Sequence, residues 1–260
     1  MKIKAIIPVL LLLWGCTHST PNRETSANPD LDSIQEWIRI AKNGEELSLE
    51  NRKQYLVDAQ NKAMNIPNDT LKLEQLSNIS LAYKKLEDSL EFRKTNQLVM
   101  EMSQRANEFK LLGYSHWDLA GFLQSYGILD STFYHYKKAL SSFERLPIND
   151  ESKSLKARML YNMGRIQDSY KDYLGAEISI TSALKIFDEL GDDSRIHNCY
   201  NVLGVIANGL GNSENSLEYY KKASEYLPKS AAQSKLAWTN KNNIDNAFLN
   251  MGDYPKAKES

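Results

Sequence analysis

Leu160-Tyr161-Asn162-Met163-Gly164 returns 40 residues later as Tyr200-Asn201-Val202-Leu203-Gly204. After the first copy come Tyr173, Ala176 and Ala183-Leu184; after the second come Gly211, Tyr220 and Ala223. A third copy begins 41 residues beyond Gly204, at Asp245 of Asn243-Ile244-Asp245, and continues with Gly252-Asp253-Tyr254 and Ala257. An earlier copy fits the same frame: Leu119-Ala120, Gly127, Tyr136 and Ala139-Leu140. Ala139, Ala183 and Ala223 are separated by 44 and 40 residues. Fainter copies run from Ile79 to Val99 and from Ile34 to Ala63. Self-similarity at such a period marks a stack of small units, none of which buries its apolar face alone.

Each unit reads as a pair of helices. Ala176, Ile180, Ala183, Leu184 and Phe187 recur at three and four residues, a stripe for one buried helix face. Leu217, Tyr220, Ala223, Ser224 and Leu227 do the same, with Lys221 and Lys222 outside the stripe. Only seven prolines and twelve glycines interrupt 260 residues, and no useful run alternates apolar with polar residues. The fold class is therefore all-α. Pro147 and Pro228 stand where second helices should end, because proline cannot continue a helix.

This pattern resembles the tetratricopeptide repeat family, most clearly from Trp117 to Ala257. The large residue followed by glycine in the first helix, the turn glycine and the second-helix alanine carry the resemblance. It implies a right-handed α-solenoid of about five and a half helical hairpins between residues 31 and 260. Gly164 and Gly204 would let paired helices cross closely. Gly211 and Gly252 suit a turn needing positive φ, and the three alanines would face the next hairpin. Departures are plain. The period is near 40 residues where the family's is about 34, and the turn of one copy carries Lys171. Residues 31–110 hold degenerate copies; residues 111–260 hold clear ones, of which the last is incomplete, leaving Ile244 and Phe248 little to pack against.

The N-terminus reads as an address. Lys2 and Lys4 precede an apolar run from Ala5 to Leu13, too short to span a bilayer. The run closes on Leu13-Trp14-Gly15-Cys16, which resembles the lipobox of bacterial lipoproteins although Trp14 is larger than the family favours. The resemblance implies a signal peptide over residues 1–15, a lipid on Cys16, and an exported, envelope-anchored protein on the periplasmic or cell-surface side. The other reading is an ordinary signal peptide with an incidental cysteine. Residues 16–30 are rich in Ser, Thr, Asn and Pro and read as a flexible tether.

Chemistry finds little to work with. Net charge is −1, and about −3 without Lys2 and Lys4; the basic residues are scattered, which argues against nucleic acid. His18, His116, His135 and His197 show no metal-ligand spacing with Asp, Glu or Cys, so neither metal nor cofactor is expected. Gly209-Leu210-Gly211 lacks the Lys-Ser/Thr and the strand of a phosphate loop, and Cys199, beside His197 and Tyr200, lacks a plausible base with an orienting partner and reads as a small buried apolar residue. The expectation is a non-catalytic binding protein.

In tetratricopeptide arrays the first helices line a groove. The resemblance assigns to it Arg158, Tyr161, Asn162 and Arg165, then Asn198, Asn201 and Asn208, then Asn242, Asn243 and Asn246. Asparagines match the amides of an extended peptide, and the arginines match a carboxylate. The rival reading of these residues is a set of solvated helix faces. The expected partner is a peptide or protein, with the membrane reached through the lipid. The alternative is the periplasmic sensor part of a larger signal-transduction protein, a histidine kinase or DNA-binding regulator, whose remainder follows residue 260.

Overall fold

The computed structural model describes residues 29–227 and 235–259. The leader, Cys16, Pro228 and nearly all of the tether lie outside them. The tether expected through Asp30 ends sooner, because α1 already begins at Pro29.

Among the described residues there are twelve helices and no strand. They pair as successive hairpins: α1 (Pro29–Asn43) with α2 (Leu49–Met64), α3 (Asp69–Lys85) with α4 (Ser89–Ala106), and α5 (Phe109–Ser125) with α6 (Leu129–Phe143). Then come α7 (Asp150–Ser169) with α8 (Tyr173–Leu190), α9 (Asp193–Gly209) with α10 (Ser213–Glu225), and α11 (Lys235–Asn250) with the short α12 (Tyr254–Glu259). Five full hairpins and a sixth with an abbreviated second helix match the expected count.

One device ends the first helix of hairpins two to six. Glu87, Gly127, Lys171, Gly211 and Gly252 all sit at positive φ, between 58° and 77°. The next residue's amide reaches back across the turn: Asp88 to Tyr83 O, Ile128 to Leu123 O, Asp172 to Gln167 O, Asn212 to Ala207 O and Asp253 to Phe248 O, at 2.9–3.1 Å. This is the Schellman arrangement, which satisfies carbonyls left over at a helix end. The same residue then starts the second helix. Asp88, Asp172, Asn212 and Asp253 accept from amides three residues on, at 3.0–3.3 Å. Ile128 provides no such cap. Lys171, read as a departure from the turn glycine, therefore adopts the glycine's conformation, and so does Glu87.

The crossing positions behave as expected. A Cβ on Gly204 would stand 2.4 Å from the Tyr220 ring, and one on Gly164 2.7 Å from Ile180. Ser80 and Ala120 hold the same register and are buried. Ala139, Ala183 and Ala223 are fully buried between hairpins. Gly113 is a further close contact that the repeat pattern did not mark, with its absent Cβ replaced by the Phe143 ring.

The core is serial. One cluster runs from Ile34 to Val99, a second joins Ala120, Tyr136 and Phe143 to Leu155 and Ile166, a third joins Ala157 and Phe187 to Ile206. A small fourth holds Leu217, Tyr220, Ala247 and Phe248. Phe248 is thus buried against α10, and the expectation that it would have little to pack against is corrected: the preceding hairpin supplies the surface.

Candidate peptide-binding groove

Three first helices form a cleft of about 520 Å³. Helix α3 contributes Glu74, Ser77, Asn78 and Leu81; α5 contributes Leu111, Tyr114, Trp117 and Asp118; α7 contributes Arg158. No second helix lines it. The wall is aromatic and ordered. Tyr114 and Trp117 stack with centroids 6.2 Å apart and planes at 20°, and the Arg158 guanidinium lies 4.2 Å from the Trp117 ring centroid. Arg158 Nε is buried and has no hydrogen-bond partner among the described residues.

Two charges in this cleft are displaced from their ordinary behaviour. Burial pushes the Asp118 carboxyl up to about 6, against the opposing pull of Lys84. The Lys84 ammonium donates at 3.1 Å to the main-chain carbonyl of Asp118 and lies 5.6 Å from the Phe92 ring centroid. Burial, and then Arg195, lower the pKa of Arg158. Such perturbed groups gather where a protein expects a ligand more often than elsewhere.

The ten residues expected to line a groove all lie on first helices, but the structure treats them unequally. Arg158 enters the cleft. Tyr161 is half-buried, its hydroxyl pKa raised by burial, with exposed Arg165 6.0 Å from its ring centroid. Asn162, Asn198 and Asn242 are half-buried and Asn246 is exposed. The remaining asparagines bond to the scaffold. Asn201 Nδ2 donates to His197 O at 3.2 Å and meets His197 Nε2 at 2.8 Å, while Asn243 donates to Asn201 Oδ1 at 3.3 Å. His197 Nδ1 lies 2.7 Å from Ala223 O, so that nitrogen donates and Nε2 accepts from Asn201. Asn208 accepts from Asn250 at 2.8 Å. These contacts tie α9, α10 and α11 together.

The residues that sequence reasoning missed were within its reach. Glu74, Ser77, Asn78 and Leu81 occupy, in the α3 copy, the repeat positions that Arg158, Tyr161, Asn162 and Arg165 occupy in α7. Tyr114, Trp117 and Asp118 occupy the same positions in α5. Transferring the register to the weaker copies finds them.

Elsewhere, the α5–α6 hairpin brings two histidines together. His116 Nδ1 and His135 Nδ1 are 3.0 Å apart, one donating and one accepting. Burial, then His135 and Lys138, lower the pKa of His116 to about 4. His116 borders a second cleft, with Gln104, Phe109, Tyr134, Lys138 and Arg145 around it. Among the described residues no cluster of three or more His, Cys, Asp or Glu could hold a metal ion. Cys199 is fully buried, and burial pushes its thiol up to about 12, as suits a packing residue.

No protein-family model matches the sequence, and no curated protein matches it. Solved structures do match the fold. The crystal structure of BtubC from P. vanneervenii is 17% identical, with 91% of this chain and 88% of that one covered and a TM-score of 0.63. A signal transduction ATPase with a tetratricopeptide repeat sensor, from Pyrococcus horikoshii, is 16% identical over 88% of this chain at a TM-score of 0.69; the match spans 35% of that protein. A Rap protein complexed with competence and sporulation factor is 16% identical over 89% of this chain at a TM-score of 0.56, spanning 63% of that protein. At these identities the comparison establishes the architecture, a tetratricopeptide-like α-solenoid.

Proposed function

We propose that the solenoid is a non-catalytic docking scaffold whose first-helix groove holds an extended segment of a peptide or partner protein, with lipid on Cys16 keeping it at the bacterial cell envelope. One observation carries the docking role: an aromatic-walled cleft built by α3, α5 and α7, with a buried guanidinium atom inside it that has no hydrogen bond among the described residues. A buried donor left unmade costs about 1–3 kcal/mol, a loss a ligand carbonyl would recover. The Rap complex shows a chain of this architecture together with a bound factor. The test is capture of envelope proteins by the full chain, compared with Tyr114→Ala and Asn78→Ala in the groove and Lys185→Glu on exposed α8. A partner lost by both groove variants and kept by the α8 variant supports the proposal; a partner kept by all three overturns it. Anchoring is tested separately: Cys16→Ser should move the protein from the membrane fraction to the soluble one.

The second proposal is a sensor half of a signalling protein, favoured by the tetratricopeptide sensor of the Pyrococcus ATPase. Among the described residues no helix is long and apolar enough to cross a membrane. About 20 apolar residues encoded beyond codon 260, followed by an output domain, would establish it.

A further inference from the structure

The groove is electrically divided along its length. On the α3 and α5 side stand the carboxyl groups of Glu74 and Asp118, with Asn78 also in the lining. On the α7 side stand Arg158 and, two turns further along the same helix, exposed Arg165. Building on the docking role proposed above, we infer that the occupant is an amphoteric segment: one basic side chain seated against Glu74 and Asp118 beside Tyr114, and one carboxylate turned toward Arg158.

The unmet charges on each side point the same way. The Asp118 residue is half-buried, and the cation that acts on its carboxyl, Lys84, is occupied by the main-chain carbonyl of Asp118 and the Phe92 ring. Desolvating a carboxylate without a matching cation is unfavourable; a guanidinium or ammonium from a ligand supplies the match. Arg158 has the converse problem. It is desolvated, the strongest charged influence on it is another guanidinium, Arg195, and its Nε finds no acceptor among the described residues. A ligand carboxylate placed there meets a fork of donors and separates the two like charges. A uniformly acidic ligand would face Glu74 and Asp118, and a uniformly basic one Arg158 and Arg165, so the division also excludes.

Geometry sets the length. Packed helices stand about 8–10 Å apart, so the span from α3 to α7 is about 20 Å, roughly six residues of extended chain at ~3.3 Å each. The probes are therefore capped hexapeptides with a shared Ser-Leu-Ser-Leu centre and ends of Arg and Glu in either order, Arg and Arg, or Glu and Glu. Calorimetry on the full chain should show one amphoteric order binding at least tenfold tighter than both uniform peptides. Arg158→Glu should transfer the preference to the Arg and Arg peptide, a gain that a merely unfolded variant does not produce. Equal affinities for all four peptides, preference for a uniform one, or an Arg158→Glu chain with unchanged ranking overturns the inference while leaving a charge-insensitive groove standing. Failure of all four to bind also overturns it; the groove itself is judged by the capture experiment with Tyr114→Ala and Asn78→Ala.

Discussion

Lys171 occupies a backbone conformation that its Cβ disfavours, φ 61°, because the hydrogen bonds around it close the α7–α8 turn whichever residue stands there. A left-handed non-glycine residue costs about 1–2 kcal/mol, and glycine returns part of that through its freer unfolded state. Lys171→Gly should raise stability by up to about 1 kcal/mol in urea unfolding, and Glu87→Gly similarly; a loss would mean the Lys171 side chain contributes more than its backbone strain removes. Asp118 supplies a pH test. Its folded pKa of about 6 exceeds the ordinary 3.8, so the folded form holds the proton more tightly than the unfolded chain. That stabilising share is complete below 3.8 and is lost as pH rises through 6. Asp118→Asn should therefore stabilise the protein by roughly 1–3 kcal/mol at pH 7.5, and the gain should vanish by pH 4. His116 has the opposite sign: lowered to about 4, it contributes stability above 6.5 that disappears as pH falls toward 4. Thermal melts of Asp118→Asn and of His116→Asn across this range separate the two.

Helices differ in how much holds them. Helix α12 has six residues, with Ala257 packed on the fourth core and the Lys256 ammonium 5.8 Å from the Phe248 ring centroid; an isolated helix of that length is marginal in water. Helix α7 has twenty residues, a reciprocal cap between Asn149 and Ser152, and buried side chains in the second and third cores. Hydrogen exchange should be fastest in α12 and slow at Met159, Leu203 and Ile206, and equal protection in α12 and α7 would show that α12 draws stability from elsewhere. The helices were legible in the sequence where glycine, alanine and a period of 40 residues coincide, as at Gly164, Ala183 and Gly204. The groove was legible as a set of repeat positions but not as a place. Glu74 and Asn78 sit in a copy whose crossing residue is Ser80, so the weak motif hid their register. The repeat register places Asp118 in the groove, but its raised pKa gives no signal in sequence, since that comes from burial. Nor does the His116–His135 pair, which exists because the α5–α6 turn folds two helices back to back.

At the scale of the molecule, four cores in series replace one common core, and each couples chiefly to its neighbours. Stability in such an array is close to a sum of units and interfaces. Gly204→Leu, which drives a branched side chain into Tyr220, should cost about 1–3 kcal/mol or more by overpacking and should raise exchange in α9 and α10 while leaving α1 to α4 near the parent's. A uniform rise along the chain would mean that the hairpins unfold as one body. The buried thiol of Cys199 makes the same property a clock. Sealed in the third core, its sulfur reacts with an aqueous disulfide reagent only when α7 to α10 part, so the rate of mixed-disulfide formation counts the openings of that one core. In a serial array that count is local time: a partner gripping α3 to α7 should slow it only as far as its grip is transmitted across α7, and the ratio of bound to free rates would measure how far along the chain an occupied groove is felt.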